Sequence, residues 1–200
     1  MKKFELTDEF VTNVFGHKLF RIKALVAFGD VEKGELGGFI EKEDNLSHDD
    51  NAWVCGNAQV FGDARVFGDA WVCGNAQVFD NARVFGDARV FGDAWVCGNA
   101  WVCGNAWVSG NAQVFGDADY AVVAGFGRYF RTTTFFRCKD KILRVQCGCF
   151  YGDLAQFREI VKKTHGDSKY AKEYLAIADL MELHFSDKCG GEQMNDGKIY

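Results

Sequence analysis

The chain has 200 residues, 48% of them hydrophobic, with a formal net charge of −5. That length holds one solenoid with end pieces or two small domains, and the acidic balance argues against a long duplex-DNA footprint. No apolar run reaches membrane-span length and none follows Lys2 and Lys3 as a signal peptide would, so a cytoplasmic protein with reduced thiols is expected despite 8 cysteines.

In chain order, residues 1–50 read as a cap and lead-in. Phe4 and Leu6 belong to a short strand, and residues 18–25 alternate as a second one. A glycine-rich stretch over residues 28–41 leads to Asn45, Leu46 and Ser47. From Asn51 to Gly116 the chain is eleven consecutive six-residue units of the type NAWVCG, NAQVFG and DARVFG. Only Asp80 replaces the closing glycine, and a twelfth unit starts at residues 117–118 before the pattern dissolves. Ala and Val lie two residues apart, so strand alternation turns both to one side, the interior. The residues flanking Val point outward. Gly followed by Asn or Asp makes each corner. One unit cannot bury its apolar face alone, but stacked coils can.

These units resemble the hexapeptide repeat of left-handed β-helix proteins. That likeness implies three units per coil, a left-handed winding and homotrimers. The glycine-rich lead-in followed by the array resembles the YdcK-type bacterial proteins and uncharacterised phage proteins over residues 3–118. The fold expected is mainly β: a left-handed parallel β-helix of about four coils over residues 51–118, with an N-terminal β cap and a C-terminal α+β module.

With an eighteen-residue coil, every third unit stacks. One outer face carries Trp53, Trp71, Arg89 and Trp107; a second carries Gln59, Gln77, Trp95 and Gln113; a third carries Arg65, Arg83 and Trp101. So much outward aromatic surface must be covered. The candidate covers are sister subunits, the terminal segments or a partner, and the expected subunit interface carries Trp53, Trp71, Trp107, Phe61, Phe79 and Phe115. Trp is always followed across Val by Cys or Ser, and Gln or Arg by Phe. A packed facing surface of fixed spacing gives that large–small pairing; copying of units by duplication gives it too.

Residues 119–185 change character. Residues 131–138 and 142–147 read as a hairpin around Lys139, Asp140 and Lys141, with Thr133, Phe135, Leu143, Val145 and Cys147 on its apolar face. A helix begins near the N-cap Asp153, and a second runs from Ser168 to about Phe185. Residues 186–200 read as a flexible tail. This ββαα pattern resembles a small domain that follows hexapeptide arrays in phage and gut-bacterial proteins. The shared features are residues 132–135, Cys147 to Phe150 with its Cys-Gly-Cys start, Thr164-His165-Gly166 and Tyr174-Leu175. The loop over residues 127–131 is less polar here than in that group.

Hexapeptide acyltransferases use an intersubunit histidine as general base. No histidine stands in the repeat, and His48, just before it, is the one candidate for such a role. Cys147, Cys149 and His165 lack the familiar metal-ligand spacing, and core packing explains Cys147 better than nucleophilic chemistry. No metal and no cofactor is expected. The binding candidates are Arg128, Arg131, Thr132, Thr133 and Thr134, which supply phosphate donors, together with Arg65, Arg83, Arg89, Trp95 and Trp101. Arginines suit phosphate and aromatics suit bases. The expected function is a non-catalytic oligomeric binding protein, serving a phage against host defence, that sequesters a small nucleotide-like ligand or binds a host protein. The alternatives are an acyltransferase and a purely structural trimeric scaffold.

Overall fold

The computed structural model describes residues 2–116 and 119–186. The beginning of the twelfth unit, and the tail beyond residue 186, lie outside the described residues.

Strands β1 (Phe4–Thr12) and β2 (Lys18–Ala24) form an antiparallel hairpin, and β3 (Leu36–Ile40) pairs with β2. The hairpin loop is tied by the Asn13 side-chain oxygen, which accepts from the backbone N–H groups of Phe15 and His17. β3 then turns parallel to the coil strand at Gln59 and Val60, so the lead-in extends one face of the solenoid into a seven-stranded sheet.

Each unit contributes a two-residue strand, from β4 (Trp53–Val54) to β14 (Gln113–Val114). Strands pair in parallel with those one coil away, Trp53 opposite Trp71 and Arg89 opposite Trp107, and the result is a β-solenoid of about four turns with three parallel sheets. The backbone ladder runs between coils: Trp53 N–H donates to Ala70 O and Cys55 N–H to Val72 O, each at 2.9 Å. Every repeat Val and Ala from Ala52 to Val114 is buried in one continuous core, so the inward assignment of those positions holds.

Corner geometry explains the closing glycine. Gly74 has φ +75, and a Cβ there would sit 3.0 Å from the Gly92 backbone nitrogen of the next coil. Asp80 takes the same left-handed conformation with φ 58, and its carboxylate accepts a hydrogen bond from the Gly98 N–H at 3.1 Å. That local bond is why an aspartate is tolerated where other side chains are strained.

The first coil is locked from below. Lys3 is buried, and its ammonium donates to the carbonyls of Asp49, Asp50 and Ala52. Asn45 is also buried and donates to Gly62 O and Ala64 O. The open upper end is covered by an antiparallel sheet of β15 (Tyr120–Phe126), β16 (Arg131–Arg137), β17 (Leu143–Cys147) and β18 (Phe150–Asp153). The predicted hairpin is β16–β17, in the expected register with Thr133 opposite Cys147 and Phe135 opposite Val145. Two further strands, β15 and β18, flank it, so the module is ββββαα and not ββαα. One sheet face packs on helices α1 (Leu154–His165) and α2 (Lys169–Ser186). The other meets the solenoid: Phe136 joins its core, Thr134 Oγ1 accepts from Trp107 N–H, and Ser109 Oγ donates to Gln146. Asp153 caps α1 as expected, accepting from Gln156 N–H at 2.8 Å.

Two expectations change. Cys55 and Cys73, stacked on adjacent coils with Cα atoms 4.7 Å apart, are disulfide-bonded and not reduced thiols. The aromatic cover comes in part from the chain itself. Phe28 packs edge-on to Trp53, which is fully buried, while Phe15 and His17 of the hairpin loop cover Phe61 and Phe79. Trp53 and Phe61 are therefore buried within one chain and are not available to a sister subunit. Among the described residues no helix is long and apolar enough to cross a membrane.

Candidate functional site

A cleft of about 410 Å3 opens where the solenoid meets the C-terminal sheet. The solenoid supplies Arg89 and, one coil on, Trp107 in direct register with it, plus Asp87 and Asn105 from the preceding corners. The sheet supplies Arg131 and Thr132 from the start of β16 and Gln146 from β17. The position of this wall follows from two bonds. Thr134 Oγ1 takes the Trp107 N–H at 3.0 Å, and Gln146 both accepts from Ser109 Oγ and donates to Gly148 O at 2.7 Å. Trp107 stays 41% exposed, which leaves part of its indole open to a ligand, while Phe91 packs edge-on beneath it.

The cleft thus gathers Arg89, Arg131 and Thr132 from the predicted set and adds Trp107, which the sequence places at an oligomer interface. It does not gather the rest. Thr133 and Thr134 are buried, and their hydroxyls are engaged by Cys147 Sγ and the Trp107 amide, so the threonine run supplies one ligand-facing hydroxyl and not three. Arg128 lines a separate pocket in the C-terminal module, which Arg131 also borders. Arg65, Arg83 and Trp101 lie on the third face, where the Arg83 guanidinium sits 5.3 Å from the Trp101 ring. Trp95 packs against Phe79 and Phe15 on the second face. Of the expected interface residues, Phe115 is 53% exposed and Trp71 and Phe79 are half-buried.

His48 is engaged on both sides of its ring. Nδ1 accepts from the Lys3 backbone N–H, Nε2 lies 3.6 Å from the Glu43 carboxylate, and the ring stacks on Phe4. These contacts tie it to the N-terminal strand. Among the described residues no group of three His, Cys, Asp or Glu side chains stands ready for a metal ion. Burial pushes the Tyr174 phenol, on the wall of the C-terminal pocket, up to about 12, so it stays neutral.

Sequence reasoning misses Asp87, Asn105 and Gln146. Gln146 carries a readable signal, because strand alternation places it on the same face as Thr132. The two corner residues carry none, since every corner in the array has the same residue types.

Fold and cleft together define a β-solenoid protein closed at one end by a small α+β module. The family model for the YdcK β-solenoid repeat matches residues 58–74, 76–90 and 82–98, all within the coils. A comparison with curated proteins found no match.

Proposed function

We propose that this chain is a non-catalytic binding protein whose cleft takes up a small phosphate-bearing ligand of the nucleotide kind. The observation that carries the reading is the convergence of Arg89 and Arg131 from opposite walls beside a partly open Trp107. Guanidinium groups bind phosphate oxygens through paired, charge-assisted hydrogen bonds. A base stacked on an aromatic ring adds about 1–3 kcal/mol. Thr132, Gln146 and Asn105 offer neutral donors around the same space, and Asp87 suits a ribose hydroxyl or an amino group.

The engagement of His48 by Lys3, Glu43 and Phe4 favours this reading over an acyltransferase. The finer reading includes homotrimeric assembly, supported by the hexapeptide resemblance. It also includes sequestration of a signalling nucleotide on behalf of a phage, supported by the likeness of both end segments to phage proteins. The test is to incubate the purified chain with cyclic dinucleotides and ADP-ribose-type nucleotides, remove free ligand, then heat to release what is bound. Intact recovery from the wild type, lost in Arg89→Gln and Arg131→Gln, supports sequestration. Conversion of the ligand makes the protein an enzyme, and no uptake from any of the panel overturns the reading.

A further inference from the structure

Another cavity, of about 160 Å3, lies in the C-terminal module and is bordered, like the cleft, by Arg131. Its walls are mostly apolar: Phe150 begins β18, Phe157, Ile160 and Val161 come from α1, and Tyr174 comes from α2, with Cys147, Thr164 and His165 among them. Its rim is cationic. Arg128 and Arg131 both border it, and neither forms an ion pair with a carboxylate among the described residues. Both guanidinium groups lie beside the ring of Tyr129, at 5.5 and 5.1 Å from its centroid.

The loop that carries this rim is held in a costly conformation. Phe130 has φ 52, an outlier for a bulky side chain, and its ring is 71% exposed, so core packing does not account for the strain. Such strain persists where surrounding structure enforces it and clusters at ligand clamps. The loop is anchored at its start. Gly127 N–H donates to the Glu173 carboxylate at 2.9 Å, and a Cβ at Gly127 would overlap the Tyr174 ring.

We propose that this pocket binds a compact aromatic anion, with one ring among the α1 and α2 side chains and the negative group at Arg128 and Arg131. The size selects the ring, since an apolar cavity of about 150 Å3 accommodates benzene. The charge selects the anion, because a carboxylate or phosphate accepts charge-assisted hydrogen bonds from both guanidinium groups, which a neutral ring does not. Glu173 of α2 accepts from the Gly127 amide and pairs with Lys169, and it forms no ion pair with Arg128 or Arg131. The site shares Arg131 with the cleft and differs from it in Arg128 and in its ring-sized apolar walls.

The test titrates the full-length protein with benzoate, phenyl phosphate and the neutral benzyl alcohol, followed by ligand-observed NMR and calorimetry. Both anions are expected to bind, the tighter one naming the negative group, with benzyl alcohol weaker by about tenfold or more. Arg128→Gln is expected to weaken the anions by about tenfold. Ile160→Trp, at a 38% exposed position, and Thr164→Trp, at the exposed rim, are each expected to abolish binding in chains that keep the wild-type circular dichroism spectrum. Absence of binding to the folded wild type at millimolar concentration overturns the proposal. So does equal affinity for the neutral ring, or binding that survives both tryptophan variants. Loss of benzoate binding in Arg89→Gln, a residue of the cleft alone, would move the ligand to the cleft and also overturn it.

Discussion

Two glycines with almost the same backbone separate strain from positioning. Gly148 has φ +58, and a Cβ there would come within 2.6 Å of the Arg131 Nη1. Gly104 has φ +61, and a Cβ there meets nothing within 4 Å. Placing an L side chain in this region costs about 1–2 kcal/mol. For a chain of this size that is a fall of about 2–8 °C in Tm. Gly148→Ala and Gly104→Ala should therefore be destabilised alike. Only Gly148→Ala should also displace the Arg131 guanidinium, because the clash is with the free end of a flexible side chain and not with backbone. A charged hydrogen bond is worth about 1.5–3 kcal/mol, so the dissociation constant for a simple diphosphate should rise about ten- to a hundredfold. Calorimetric titration with pyrophosphate, alongside thermal unfolding of both variants, reads the two effects separately. If Gly148→Ala binds pyrophosphate as the wild type does, Arg131 does not hold the anion. If Gly104→Ala loses affinity equally, the cause is backbone strain, and the positioning argument fails.

Two further outcomes follow from the lower coils. Burial pushes the Lys3 ammonium down to about 8, against the opposing pull of Asp50, Asp49 and Asp69, while in the unfolded chain it titrates near about 10.4. Between those values the unfolded chain holds the extra proton, so this group makes stability rise with pH across the window. Urea unfolding at about pH 7 and about pH 10 should show that rise in the wild type relative to Lys3→Met, and parallel curves would refute it. The Cys55–Cys73 bond closes a sequence separation of 18 residues, for which chain-entropy arguments give about 3 kcal/mol. Reductant and the double serine variant should lower stability equally; a wild type indifferent to reductant would show that the thiols are not bonded.

The coils were legible because their physics is local and repeated. Val and Ala at fixed spacing dictate the interior, and the eighteen-residue coil assigns Trp53, Trp71, Arg89 and Trp107 to one column, as the registers bear out. The Asp153 cap and the β16–β17 register were legible for the same reason. What escaped depends on contacts distant in sequence. Nothing near Phe28 or Phe15 says that one covers Trp53 and the other Phe61. The cleft unites Arg89 with Arg131 only because the C-terminal sheet docks through Thr134 and Gln146. The disulfide is half legible: the stacked column puts Cys55 beside Cys73, but proximity alone does not say whether two thiols are joined.

The large–small pairing across Val now has an explanation inside the chain. From Phe61 to Phe91, each outer Phe has one flank facing the next coil, and it is filled in one of two ways. Phe61 on Phe79 and Phe67 on Phe85 stack in parallel, with centroids 5.0 and 4.8 Å apart. Alternatively a Trp from the adjoining column leans in edge-on, as Trp95 does on Phe79, Trp101 on Phe85 and Trp107 on Phe91. The two arrangements compete for the same space, so the unit that brings a Trp must follow it with a small residue. Cys97, buried after Trp95, is such a residue. Cys97→Phe alone should overpack the column and cost about 1–3 kcal/mol. Adding Trp95→Gln recreates the Gln-Val-Phe unit and should recover most of that loss, because the introduced phenyl ring is then free to stack on Phe79. A double-mutant cycle by urea unfolding measures the coupling, expected at about 1 kcal/mol or more in favour of the double variant. Additive effects would leave the pairing as a relic of unit duplication, with no packing reason behind it.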